Sequence, residues 1–268
     1  MHHMKIFVVI VTLLFMLPPL SPALAAKSDL ELTWLEAMVA VPKKKGDEIK
    51  MGKMKSNDAK DPLKKHRKEP LPVIVYLHGC AGFEKTDKKA IKALAKGGYI
   101  VVAPDSMARK FRPSQCSTGA KSGGANPFVF DFRMAEISYA LQQLSRSEWA
   151  DFKNLFVVGV SEGAVAVAHY RGDYFRARVM TQWTCQGSPL VRGLSAPPAT
   201  PFLAVVQKND PWYNQEGSKQ AGDCGSFFDP ASGSRSIVLD DGKKHTVMKE
   251  EEILGEIIRF FDQHRTAF

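Results

Sequence analysis

Ser161 stands in the run Gly159-Val160-Ser161-Glu162-Gly163-Ala164, and this spacing is what a serine needs to be lifted off the end of a buried strand into the start of a helix. Glycines two before and two after it remove the side chains that would collide when strand and helix approach so closely. The flanks agree with that reading: Leu155 to Val158 form an apolar, β-prone stretch, and Ala164 to Ala168 a small-residue segment able to lie against a sheet. A serine hydroxyl is a poor nucleophile unless a base removes its proton and a carboxylate orients that base, so a histidine and an acid are expected further along the chain.

His245 fits the base. It lies in the polar loop Asp240 to His245, after a strand-like segment Arg235 to Leu239 and before a helix-like segment from Val247 to His264. His2 and His3 fall in a leader, His66 in a basic stretch and His264 near the tail, while His169 is too close in sequence to Ser161 to fold back onto it. For the acid, Asp210 follows the apolar run Pro201 to Val206 in Asn209-Asp210-Pro211-Trp212; Asp223, Asp229, Asp240 and Asp241 are its rivals. Asn-Asp-Pro is also ordinary turn chemistry.

Charge developing on a substrate carbonyl oxygen calls for fixed N–H donors. Val73 to Leu77 reads as a central strand running into His78-Gly79-Cys80-Ala81-Gly82-Phe83, a small-residue loop that backbone could bring close to a ligand. The backbone N–H groups of Cys80 and Glu162 are the expected oxyanion donors, and His78 is expected to hold the loop in shape.

The elements that must position these groups alternate. A strand at Val73 is followed by a helix over Thr86 to Lys96, a strand over Tyr99 to Ala103, a helix over Phe128 to Leu144, the strand and helix around Ser161, and a strand over Ala177 to Trp183. Alternation of this kind requires crossover connections, hence parallel strands with helices on both faces. An earlier strand is expected over Leu32 to Val41. No internal repeat is visible.

Together the strand with HGCAGF, the strand with Pro104-Asp105-Ser106 and following arginines and Cys116, the GVSEGA elbow, the NDPWY segment and the histidine loop resemble the α/β-hydrolase superfamily, and within it the dienelactone-hydrolase-like branch. The resemblance runs from about Trp34 to the end of the chain. It implies a mostly parallel sheet of about eight strands with helices on both faces, and a Ser161, Asp210, His245 triad at the carboxyl ends of the strands. Dienelactone hydrolases proper use a cysteine nucleophile. Ser161 therefore points to a serine hydrolase, a carboxylesterase cleaving a small ester or lactone through an acyl-enzyme, with no metal or organic cofactor. The alternatives are a serine peptidase of the prolyl-oligopeptidase type and a non-catalytic ligand-binding relative.

Residues 1–25 have the form of a cleavable secretory signal peptide: Lys5, an apolar core from Ile6 to Leu17, then prolines and Ala23-Leu24-Ala25. The core is short for a membrane span. Residues 26–268 are expected to form one domain, exported to the periplasm or beyond. In an oxidising compartment the four cysteines are expected to pair. Of three possible pairings, Cys80 with Cys116 and Cys185 with Cys224 is favoured, because each joins two loops expected at the same end of the sheet.

The formal charge of +9 is mostly local, since Lys43 to Lys68 carries eleven Lys and Arg against four Asp and Glu. Residues 43–70 read as a mobile basic loop that is mostly solvated and able to make weak contact with an anionic membrane surface. Aromatic interleaving and nucleic-acid-binding signatures are lacking, so no nucleic acid is expected. The expected partner is a small-molecule ester; oligomeric state is not legible. Arg109, with Lys110, Arg112 and Lys121, is a candidate receiver of an anionic substrate group, and Trp183, Trp212 and Tyr213 are candidate walls of an acyl pocket.

Overall fold

The structure is a computed structural model describing residues 27–43, 48–124, 126–187, 191–215, 218–240 and 242–266. The signal-peptide residues 1–25 and Asp241 lie outside the described residues. In chain order the elements are α1 (Asp29–Leu35), β1 (Met38–Pro42), β2 (Ile49–Lys53), α2 (Asn57–Lys64), β3 (Leu71–Leu77), α3 (Lys85–Lys96), β4 (Ile100–Ala103), β5 (Cys116–Ser117), β6 (Ser122–Gly123), α4 (Phe128–Leu144), β7 (Ala150–Val160), α5 (Glu162–His169), β8 (Ala177–Thr181), β9 (Phe202–Gln207), β10 (Arg235–Leu239) and α6 (Glu251–His264).

Eight strands form one sheet in the order β10-β9-β8-β7-β3-β4-β1-β2. From β10 to β4 every neighbouring pair is parallel, and β1 pairs antiparallel with both β4 and β2. Strands β3, β4, β7, β8 and β9 are buried almost throughout, as sequences rich in Val, Leu and Ile should be when helices cover both faces. Alternate residues of β3 feed opposite layers. Val73, Val75 and Leu77 pack with Trp34, Leu63 and the α4 and α5 residues Ile137, Leu141 and Ala166. Ile74 and Tyr76 pack instead with Ile91 and Leu94 of α3 and with Ile257, Phe260 and Phe261 of α6.

Three regions depart from the sequence reading. The strand expected over Leu32 to Val41 is a helix followed by a strand: Ser28 caps α1 by accepting the Glu31 N–H at 3.1 Å, and Asp29 and Glu31 place negative charge at its amino end. The stretch expected to be a basic loop carries β2 and α2. Met51 and Ile49 turn partly inward along β2, and Ala59 and Leu63, one helical turn apart, bury against the sheet edge. Lysine stems between those positions carry their charges outward, which hid the apolar pattern in the sequence. The carboxyl-terminal helix also starts later than expected, at Glu251.

Candidate active site

The strand β7 ends at Val160, and α5 begins at Glu162, so Ser161 alone makes the turn. Its backbone has φ 52° and ψ −112°, a conformation that costs a side-chain-bearing residue about 1–3 kcal/mol. The two glycines are required by space. A Cβ on Gly159 would lie 2.4 Å from the Gly163 carbonyl oxygen, and one on Gly163 would lie 2.3 Å from that of Leu77. The turn is also pinned by the Ser161 N–H, which donates to the Thr181 carbonyl at 2.8 Å.

The loops after β9 and β10 bring the other two candidates to this point. The Asp210 side chain is fully buried; one oxygen accepts the Trp212 N–H at 2.9 Å, and the other faces His245 Nδ1 at 2.7 Å. A carboxylate only accepts, so Nδ1 carries the proton and Nε2 keeps its lone pair. That Nε2 lies 3.2 Å from Ser161 Oγ. The sequence distance from Ser161 to His245 is 84 residues, closed by four parallel strands lying side by side. The rival acids are engaged elsewhere: Asp240 with Lys208 at 2.7 Å, and Asp223 and Asp229 with backbone N–H groups two residues ahead of each.

His78 follows β3 and is fully buried. Nδ1 donates to the Gly79 carbonyl at 2.7 Å, while Nε2 receives the Ser106 N–H at 3.1 Å and an Arg133 N–H at 3.2 Å. Two donors aimed at Nε2 leave no room for a proton there. Burial, and then the Arg133 charge, hold its pKa well below the ordinary histidine value, so the ring is neutral. It shapes the loop that carries Cys80, whose disulfide to Cys116 ties that loop to the segment after β4. A second disulfide, Cys185 to Cys224, joins the loops after β8 and β9.

Arg109 is not at the site. It is nearly buried, donates to Glu136 at 2.7 Å and to the Phe132 carbonyl at 3.1 Å, and lies over the Phe132 ring. It borders neither of the cavities at Ser161. Arg112 likewise binds Glu162 at 2.5 Å and Ser106 Oγ at 2.9 Å. Arg133 completes a buried cluster beneath the elbow, 3.5 Å from Glu136 and 3.7 Å from Glu162. This cluster was missed in the sequence, although Arg133 and Glu136 fall on the stripe Val129, Phe130, Ile137, Ala140 and Leu141 that α4 turns to the core. Charges at helical spacing within an apolar stripe were the available signal.

Trp183 and Trp212 do border the site, together with Tyr213. The Trp212 ring stacks on His245 with centroids 5.0 Å apart. Tyr213 donates its hydroxyl to the Gln182 carbonyl at 2.8 Å; burial, then the Asp210 charge, push its pKa up, so it stays protonated. The described residues contain no cluster of acidic, histidine or cysteine side chains able to hold a metal ion.

No protein-family model and no curated protein sequence matches the chain. Solved structures do match its fold. A dienelactone-hydrolase-like promiscuous phosphotriesterase from metagenomic libraries superposes with a TM-score of 0.53 at 14% identity, over 72% of this chain and 87% of the other. A cold-adapted esterase from an Arctic intertidal metagenomic library gives 0.51 at 15% identity, over 74% and 84%, and a Thermus thermophilus protein gives 0.50 at 15%, over 74% and 91%. The chain therefore has the α/β-hydrolase fold.

Proposed function

We propose that the protein is a serine hydrolase that cleaves a small-molecule ester or lactone through an acyl-enzyme. The observation carrying this reading is the unbroken chain from Asp210 through His245 to Ser161, with contacts of 2.7 and 3.2 Å in the one tautomer that leaves a base facing the hydroxyl. His245 takes the Ser161 proton as Oγ bonds to the acyl carbon, then delivers it to the departing oxygen; water reverses the sequence. The N–H groups of Cys80 and Glu162 receive the oxyanion. The structural counterpart described as an esterase supports an ester rather than an amide substrate.

Export is part of the proposal. The leader-like residues 1–25 and two disulfides among the described residues support a periplasmic or secreted protein. A fluorophosphonate probe tests the catalytic reading. Covalent labelling that maps to Ser161, with turnover of short p-nitrophenyl esters, is expected; an unlabelled, inactive, folded protein overturns it.

A further inference from the structure

Two cavities meet at Ser161. One, of about 260 Å³, is bordered by Phe130, Val165, Trp183, Val191 and Tyr213 and by the disulfide Cys80–Cys116. The other, of about 350 Å³, is bordered by Thr86, Thr118, Lys121, Lys243, His245 and Thr246 among others. Among the described residues only three border both: Ser161, Cys80 and Trp212. They are the proposed nucleophile, a proposed oxyanion donor and the indole that stacks on His245. The reacting carbonyl thus sits in the neck between two chambers, and Trp212 forms part of the partition.

His245 borders the second cavity and not the first. That asymmetry decides the direction of the substrate. The proton taken from Ser161 must be handed by His245 Nε2 to the departing oxygen, so this oxygen must lie within hydrogen-bond reach of the imidazole. We infer that the alcohol half of the ester occupies the His245 cavity and the acyl half occupies the Phe130–Val165–Trp183 cavity, and that the acyl half is compact and uncharged. This rests on the hydrolase reading above.

The chemistry of the two chambers agrees with that orientation. The acyl cavity combines aromatic and aliphatic walls with the amides of Gln115, Gln186 and Gln220. Among the described residues its one acidic group, Glu162, is clamped by Arg112, and no lysine or arginine borders it. An acyl group bearing a carboxylate would be desolvated there with no cation to meet it. The alcohol cavity carries Lys121, Lys243, Glu84 and Asp87, which suits a polar leaving group. In the first half-reaction the Ser161 Oγ–acyl bond forms, the ester C–O bond breaks and the alcohol leaves with the His245 proton. Water then enters the vacated alcohol cavity, attacks the acyl carbon while giving a proton to His245, and that proton returns to Ser161 as the acid departs.

Two variants outside the triad separate the chambers. Gly123 borders the acyl cavity, and a Cβ there meets Cys116 Cβ at 3.5 Å and the Trp212 ring at 3.8 Å, ordinary contact distances, so Gly123→Leu narrows the cavity without forcing the backbone. Thr118 is exposed and borders the alcohol cavity, so Thr118→Trp narrows that one. Each is measured as kcat/KM on p-nitrophenyl acetate against benzoate, and on methyl against 2-naphthyl acetate. Gly123→Leu is expected to lower the benzoate-to-acetate ratio by about tenfold or more, the scale at which pocket contacts discriminate, and to leave the naphthyl-to-methyl ratio within about twofold; Thr118→Trp does the reverse. For the wild type, p-nitrophenyl butyrate is expected to outpace p-nitrophenyl hemisuccinate by at least about tenfold. Exchanged responses of the two variants, equal responses in both ratios, or a preference for hemisuccinate overturns the orientation while esters are still hydrolysed. Absence of both hydrolysis and probe labelling in the wild type overturns the hydrolase reading instead.

Discussion

Positive charge is handled in opposite ways in two regions of this molecule. Beneath the elbow, Arg109, Arg112 and Arg133 are buried with Glu136 and Glu162 inside a cluster shared by the loop after β4, helix α4 and the start of α5. At the β2 edge of the sheet, Lys43, Lys50, Lys53 and Lys55 face Glu36 and Glu48 with their ammonium groups in water. The ions are alike. What differs is the solvent removed from them, and with it the cost of losing a partner: a buried ion left alone cannot recover hydration, whereas an exposed one does so at once. The buried cluster therefore holds the loops of the candidate site in one arrangement, and the edge pairs hold almost nothing.

The largest effect expected at the buried end is chemical. Ser161→Ala should reduce kcat by about 10⁴ to 10⁶-fold, the range for a triad nucleophile, with little change in melting temperature because a hydroxyl, not packing, is lost. Steady-state rates on p-nitrophenyl acetate and a thermal melt check both halves; near-normal turnover removes Ser161 from its role. Next comes the cluster itself. Arg133→Met should destabilise the fold by about 3 to 5 kcal/mol, because Glu136 and Glu162 would stay buried with less positive charge, and His78 would lose a donor. Urea unfolding measures it, and a loss no larger than at the sheet edge would break the contrast drawn here.

The disulfide Cys80–Cys116 closes a loop spanning 36 residues in the same region. Reduction should cost about 2 to 4 kcal/mol of stability and lower turnover, with Cys80→Ser impairing kcat more than Cys185→Ser, since only Cys80 borders the neck at Ser161. Turnover unmoved by reductant under conditions that release four thiols would argue against this coupling.

Protonation sharpens the contrast further. His78 is neutral in the folded protein, with its pKa held well below that of an unfolded histidine, about 6.5. Above that value folded and unfolded forms bind the same number of protons at this site. As pH falls below it the unfolded chain gains a proton that the folded one refuses, so stability present at neutral pH is lost toward the lower folded pKa. The wild-type melting temperature should thus drop more between pH 7.5 and 5 than that of His78→Asn. Parallel slopes in the two proteins would remove His78 as the source. The smallest effect belongs to the edge: Lys53→Ala should leave the melting temperature indistinguishable from wild type, since its pair with Glu36 lies mostly in water. A clear loss there would mean that the edge network, too, is structural.

How much of this was legible in the sequence depends on the range of the interaction. The elbow was legible because its requirement is local: Gly159, Ser161 and Gly163 meet a steric demand set within five residues. The core strands and α4 were legible from continuous apolar runs and helical spacing. The segment Lys43 to Lys68 was not, because exposed lysines outnumber the few residues that pack β2 and α2 against the sheet edge. Arg109 was misplaced for a related reason. A sequence gives an arginine's charge but not its burial, and only the packing of α4 under the elbow pairs Arg109 and Arg112 with Glu136 and Glu162, outside the lining of the two cavities at Ser161.

By itself, then, the sequence determined the elements whose causes are local: the strained serine turn, the alternating strands and helices, the apolar stripes and the candidate residues for chemistry. The tertiary structure decided that Asp210 faces His245, which cysteines pair, and that the neck at Ser161 opens on two unlike chambers. Those outcomes depend on strands far apart in the chain lying side by side, so that loops from β3, β4, β7, β8, β9 and β10 converge at one end of the sheet. No local spacing encodes such proximity, because it is produced only when the two apolar layers close over the sheet and fix its strand order.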